Sequence, residues 1–218
     1  MDASSQPSDK PRRKPSAKSP DQPSARERLK NAAITLIIER GFAGATLTPI
    51  LNEAKLSKGA LFHHFSGRDE LMAAAYMQVL SDHMAHERVL SQRLLAREIT
   101  LEDLLTDMVA NAFSDTYIVT LELAVAVRTH PAILDTADGF KEWTDFREHF
   151  WSNLFELPGY DADAAAVHWE MVNFTMRGIG VRHSFGTEKR APNELARALI
   201  TEYFSNATLR AEDEAKHL

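Results

Sequence analysis

Cysteine is absent from the 218 residues. Disulfides, thiolate zinc sites and cysteine nucleophiles are therefore excluded, and the lack fits a reducing compartment such as the cytoplasm. No apolar run approaches the roughly 20 residues that span a bilayer, and the polar N-terminus has no apolar signal-peptide core. A cytoplasmic chain with no membrane partner is expected. Catalytic signatures are also missing. His86-Glu87-Arg88-Val89-Leu90 begins like a zinc-binding H-E-x-x-H but lacks its second histidine. There is no G-x-S-x-G and no phosphate-binding loop, and Gly178-Ile179-Gly180 falls inside a helical pattern rather than after a strand. His63 and His64 are adjacent, so on a helix they point about 100° apart and make a poor metal pair. No enzyme activity, catalytic residue, cofactor or metal is expected.

Net negative charge is what the chain has overall, at −6, which by itself argues against a nucleic-acid partner. Its distribution argues the other way. Residues 24–69 carry seven Lys/Arg against four Asp/Glu, a formal +3, and residues 1–23 carry five against three, a formal +2. The remainder therefore stands at −11. A basic front on an acidic body is the footprint of a nucleic-acid-binding unit joined to something else. Residues 1–23 are rich in Ser and Pro and have no aromatic residue, which predicts a disordered basic tail.

With 44% hydrophobic residues the chain can build a sizeable core, and the apolar spacing is helical throughout. Ser24 with Glu27 forms a capping box for a first helix, whose stripe is Leu29, Ala33, Leu36 and Ile37 and whose stop is Gly41. A long helix runs from Arg68 to about Leu95. Thr100 with Asp103 caps another. Tyr117–Val127 is almost wholly apolar and reads as a buried helix interrupted by Glu122. His130-Pro131 marks a break, and Ile133–Leu157 reads as one aromatic-rich helix. In Asp161–His183, two apolar ladders leave only Glu170, Asn173 and Arg177 as a polar face. A helix apolar around most of its circumference must be covered on two sides. A last helix begins at Pro192.

The most informative stretch is Thr46–Arg68. Thr46 reads as an N-cap, Pro49 lies in a first turn that needs no N–H, and Ile50 and Ala54 share a face. Ser57 can cap a second helix starting at Lys58, with Leu61 and Phe65 as its apolar pair. Ser66 with Asp69 offers a capping box for the next helix. Helix, short turn, helix is the layout of a DNA reader whose second helix enters the major groove. Taken alone, the pattern fits a helical hairpin buried in a core equally well.

Residues Gly41–Leu71 resemble the DNA-binding segment of the TetR family of bacterial repressors. The positions that carry the resemblance are Gly41, Phe42, Thr46, Ile50, Ser57, Gly59, Leu61, His64, Phe65, Arg68 and Leu71. Phe62 departs from the family's usual tyrosine, and Lys55 from its usual small residue. The rest of the chain resembles the family only in size and helical layout. The resemblance implies an all-α fold, with an N-terminal three-helix helix-turn-helix domain at 24–67 and a larger helical ligand-binding and dimerisation domain at 68–212. It implies a transcriptional regulator, a repressor released from double-stranded operator DNA by an unknown small-molecule effector. It places Ser57, Lys58, Gly59, Ala60 and His63 at the groove, Thr46, Thr48, His64 and Arg68 at phosphates, and Phe62 at the DNA-binding position where the family's tyrosine hydroxyl reaches a phosphate. It implies a homodimer through the last two helices. The helices that line the family's pocket supply Phe113, Tyr117, Glu122, Trp143, Arg147, Trp151, His168 and Trp169 as candidate ligand contacts, and these point to an aromatic or otherwise apolar effector. For the aromatics, ordinary core packing is the competing reading. For Glu122, the competing reading is an ion-paired or surface position. The alternative from another class is a helical small-molecule-binding or interaction protein that does not regulate transcription.

Overall fold

The computed structural model describes residues 23–211, so the tail expected at residues 1–23 lies, but for its last residue, outside the described residues. Ten helices follow in order: α1 (Ala25–Gly44), α2 (Leu47–Ala54), α3 (Lys58–His64), α4 (Arg68–Leu95), α5 (Leu101–Ala112), α6 (Asp115–Ala126), α7 (Ala132–Asp135), α8 (Phe140–Leu154), α9 (Ala162–Ser184) and α10 (Pro192–Tyr203). Two-residue strands, β1 (Phe155–Glu156) and β2 (Thr208–Leu209), pair antiparallel and tie the chain after α10 back to the end of α8. The pairing has no counterpart in the sequence reading, because two residues carry no alternation.

Local side-chain chemistry sets the helix starts. Ser24 donates its N–H to Glu27 at 2.7 Å and accepts from the Glu27 N–H at 3.2 Å, a complete capping box. Thr100 and Asp103 repeat the arrangement at 2.9 and 3.1 Å. Asp161 accepts from the Ala164 N–H at 2.8 Å and starts α9. Two expectations are corrected. The box at the start of α4 is shifted by one residue: Gly67 occupies the cap, and the Ser66 N–H donates to Glu70 rather than Asp69, at 2.7 Å. The single helix expected over 133–157 is broken at Thr136–Gly139, where Gly139 takes φ +88°. Asp138-Gly139 is turn chemistry that the aromatic periodicity on either side obscured.

Apolar packing forms two centres that share α4. The first joins Leu29, Leu36 and Ile37 of α1 with Ile50, Leu61 and Phe65, then continues through Leu71, Met72, Tyr76 and Val79 of α4 to Val119 and Leu123 of α6 and Ile133 of α7. The second gathers Leu90 and Leu94 of α4, Leu104 and Leu105 of α5, Phe150 and Trp151 of α8, Trp169 and Val172 of α9, and Leu195 and Leu199 of α10. The first core crosses the α3–α4 junction, so the front of the molecule is welded to α6 by apolar contact. Only one face of α6 is buried, through Val119, Leu123 and Ala126, while Val125 on the opposite face is 70% exposed. The wholly buried helix expected there is thus half right. Its apolar composition concealed a solvent face.

Helix α9 buries Trp169, Val172, Met176 and Ile179, and its second ladder, with Val167, Met171 and Phe174, is left on the outside. Gly180 permits its closest approach. A Cβ there would lie 2.4 Å from the Tyr117 ring and 3.1 Å from the Ala112 carbonyl oxygen.

Candidate functional site

The helix-turn-helix is built by burying one side of each helix on α1. Ile50 and Ala54 of α2, and Leu61 with the following Phe65, are buried, which turns Lys58, Gly59, Phe62 and His63 outward. The turn depends on Lys55, which takes the left-handed conformation (φ 52°, ψ 46°) that ends α2. Its N–H donates to the Asn52 carbonyl at 3.1 Å, and the Leu56 N–H to the Leu51 carbonyl at 3.0 Å. Arg28 of α1 donates to the Ala54 carbonyl at 2.5 Å, placing a cation at the carbonyl end of α2 and pinning that end to α1. Ser57 then caps α3 by accepting the Ala60 N–H at 3.2 Å.

The outward surface suits a polyanion. Helix α3 contains no acidic residue. Lys58 is exposed, with its Nζ 5.7 Å from the centre of the Phe62 ring, and Phe62 is itself 49% exposed. A Cβ on Gly59 would meet only the Ser57 hydroxyl, at 3.8 Å, so none of the described residues covers this end of α3. His63 and His64 stand edge to face at 4.9 Å. Thr46 and Thr48 are both exposed at the start of α2. Thr46 occupies the cap position, but its hydroxyl accepts no cap hydrogen bond and stays open to solvent.

Arg68 is placed differently from the phosphate-facing position expected of it. Its guanidinium turns inward, donating to the Ala45 carbonyl at 3.0 Å and to the Phe42 carbonyl, and it lies 4.1 Å over the Phe42 ring. Burial lowers its pKa, which Asp69 partly offsets. Arg68 therefore fixes the α1–α2 corner instead of presenting a free cation.

In the body, the eight candidate ligand contacts do not form one group. Tyr117, Arg147 and Trp151 come together around a part-buried polar cluster. Arg147 donates to both Glu87 carboxylate oxygens, at 2.9 and 2.7 Å, and to Asn173 at 2.8 Å; Trp151 Nε1 donates to the same Asn173 oxygen at 3.0 Å. The Tyr117 ring stacks 6.5 Å from His83, and the Arg177 charge acts on Tyr117 against the effect of burial. Burial raises the Tyr117 pKa and lowers that of His83. Phe113 stacks on His183 at 3.9 Å, at the other side of Tyr117's helix junction. Trp169 is buried against Trp151 as core. His168 is spent on the Tyr203 carbonyl at 2.8 Å, and Trp143 packs with Phe140 on the first core, lining the groove between α4 and α8. Glu122 leaves the group altogether: its carboxylate accepts the Phe42 N–H of α1. The sequence reading missed Glu87, His83, Asn173 and Arg177 as members of the cluster. Glu87 had a usable signal, because it falls on the buried stripe of α4 between Leu80, Met84, Ser91 and Leu94. A carboxylate at such a position needs a partner.

A capped, outward-facing, acid-free helix after a tight turn, on a helical body, defines a helix-turn-helix DNA-binding protein. Comparisons with known proteins agree. The family of bacterial regulatory proteins named tetR matches residues 29–75. The chain is 26% identical over 160 residues to the HTH-type transcriptional regulator CymR of Pseudomonas putida, covering 72% of this chain and 78% of that protein. It is 37% identical over 82 residues to the HTH-type regulator BetI 2 of Chromohalobacter salexigens, covering 38% and 36%. Among solved structures, a transcriptional regulator from Rhodococcus sp. Rha1 superposes with a TM-score of 0.64 at 20% identity, over 84% of this chain and 98% of that one. The multidrug binding protein EbrR complexed with imidazole superposes with a TM-score of 0.56 at 21% identity, over 88% and 99%. At such identities the structures share the fold. Residues 29–75 thus match the DNA-binding segment of the tetR family, the chain is similar over most of its length to an HTH-type regulator, and it is a DNA-binding transcriptional regulator.

Proposed function

We propose that the chain is a repressor that binds operator DNA as a homodimer and is released from it by a small-molecule effector. The observation that carries the reading is the α3 surface, where Ser57, Lys58, Gly59, Ala60, Phe62 and His63 form an uncovered, acid-free face. Lys58, His63 and the bare Gly59 approach supply base-edge contacts, and Thr46, Thr48 and His64 supply phosphate contacts that position rather than specify. Residues 24–67 form the DNA-reading unit, and 68–212 the ligand-binding and dimerisation unit.

The dimer reading is supported by α9. Val167, Met171, Phe174 and Phe185 are 61%, 46%, 53% and 76% exposed and follow one another at spacings of four, three and eleven residues, a single seam. Burying a Val, Met or Phe side chain contributes about 1.5–3 kcal/mol each, so an exposed row of this kind favours a second copy docking α9, with α10 beside it. The effector site is centred on Arg147, Glu87, Asn173, Tyr117, His83 and Trp151. There, donors and aromatic faces meet inside the body, the mixture that orients small ligands. Solved relatives of this fold hold ligands as different as imidazole in EbrR and stearoyl-CoA in FadR of Bacillus subtilis, which supports a ligand role for the body without fixing its chemistry. In the cell, the expected location is the cytoplasm, where the operator is.

Salt-dependent binding to a fragment of the DNA upstream of the chain's own gene tests this reading. A footprint that a small molecule then abolishes supports it. No footprint at any salt concentration, on a fragment that covers the whole upstream region, contradicts it.

A further inference from the structure

We propose that Glu122 is a positioning residue for DNA recognition, locking the angle between the helix-turn-helix and the body by gripping the peptide of Phe42. Gly41 leaves helical geometry (φ 71°, ψ 169°) and kinks α1 in its last turn. The N–H that follows the kink, on Phe42, donates to the Glu122 carboxylate of α6. The same carboxylate fills the space beside Gly41, where an added Cβ would lie 3.2 Å from Oε2. The other end of the Phe42 residue is held from α4: Arg68 donates to its carbonyl and covers one side of its ring at 4.1 Å. His130, in the turn after α6, meets that ring edge-on at 5.2 Å and lies 3.8 Å from Asp69. One residue is thus held at its N–H, its carbonyl and its ring by three elements.

The consequence follows from where Phe42 stands. It stands in the last turn of α1, directly after the Gly41 kink and ahead of α2, and Arg68 also holds the Ala45 carbonyl at the last residue before α2's cap. Glu122 is the only charged side chain in α6 beyond Asp115 at its first position, so the grip is a specific polar contact in an otherwise apolar helix. A part-buried charge-assisted hydrogen bond is directional, whereas apolar contacts between α1 and α6 tolerate sliding. The apolar weld keeps the reader attached, and the Glu122 grip fixes its orientation. In a two-fold dimer, orientation of the reader sets the distance between the two α3 helices and hence the spacing of half-sites that can be bound.

This inference rests on the dimeric operator-binding reading, and the test separates the two. The operator of the wild-type chain is remade with its half-sites moved together or apart by one and two base pairs, and full-length protein is titrated on each duplex. Wild type discriminates against the altered spacings by about tenfold or more, because each base pair added or removed moves one half-site by about 3.4 Å and turns it about the duplex axis. Glu122→Ala, and Glu122→Asp, whose shorter arm falls short of the Phe42 N–H, shrink that preference to within about threefold while leaving the preferred half-site sequence unaltered. Glu122→Gln keeps an acceptor of the same reach and retains the preference. The proposal is overturned if the Asp and Ala variants, checked to be folded by thermal melting, keep the wild-type spacing preference, or if Gln loses it as fully as Ala. Wild type binding no duplex at all contradicts the operator reading instead.

Discussion

At the scale of single residues, chemistry at the DNA face and in the body is separable because the residues involved differ in burial. Lys58 is exposed, with its ammonium over the Phe62 ring. Lys58→Ala is expected to weaken operator binding by about 1–3 kcal/mol, the worth of one base contact, and to leave the melting temperature where it was. A gel-shift titration beside a thermal melt checks both halves. His83 carries the pH prediction. Burial holds its pKa below the ordinary histidine value of 6.5, with Glu87 opposing the shift. The unfolded chain therefore takes up a proton at that position before the folded chain does, so the His83 contribution is fully present above pH 6.5 and is lost as the pH falls below it. Melting temperature measured between pH 7.5 and 5 should fall less steeply for His83→Gln than for the wild type. Parallel curves would mean that His83 is as well solvated folded as unfolded.

At the scale of elements, what the sequence made legible was whatever local chemistry decides. The capping boxes at Ser24 and Thr100, the Ser57 cap and the start of α10 at Pro192 follow from residues within three positions, and all stand where the spacing puts them. Errors arose where a long-range partner decides. Arg68 and Glu122 look like free charges in sequence, because the groups they serve, the Phe42 and Ala45 backbone, are 26, 23 and 80 residues away. The break before α8 was lost because Ile133 and the aromatics of α8 continue one apparent period across Gly139. The cluster around Arg147 was half seen, as aromatics and a charge, but its acceptors Glu87 and Asn173 belong to other helices. Gly180 illustrates the same limit. In sequence it is one of two glycines in a helix; in the fold it is where α9 touches Tyr117. Gly180→Ala is expected to destabilise the chain by about 1–3 kcal/mol through overpacking, whereas Gly178→Ala, with nothing near its Cβ, should be neutral or slightly stabilising. Equal denaturation midpoints for the two variants would contradict the close approach.

At the scale of the whole molecule, a basic front and an acidic body of opposite sign fit one chain that must attach to DNA through one end only. The seam on α9 should do the pairing. Phe174→Glu places a carboxylate in that seam on each subunit, and sedimentation velocity should show the dimer lost or weakened by at least tenfold, since each apolar side chain withdrawn removes about 1.5–3 kcal/mol and the charge adds its own desolvation cost. The central claim, a two-fold dimer reading DNA through paired α3 helices, is tested most directly by selecting duplexes from a random pool with the full-length chain. Such a dimer enriches an inverted repeat whose half-sites lie about 34–36 Å apart, or a multiple of that distance. A single unrepeated element, or no enrichment over the starting pool, would contradict it.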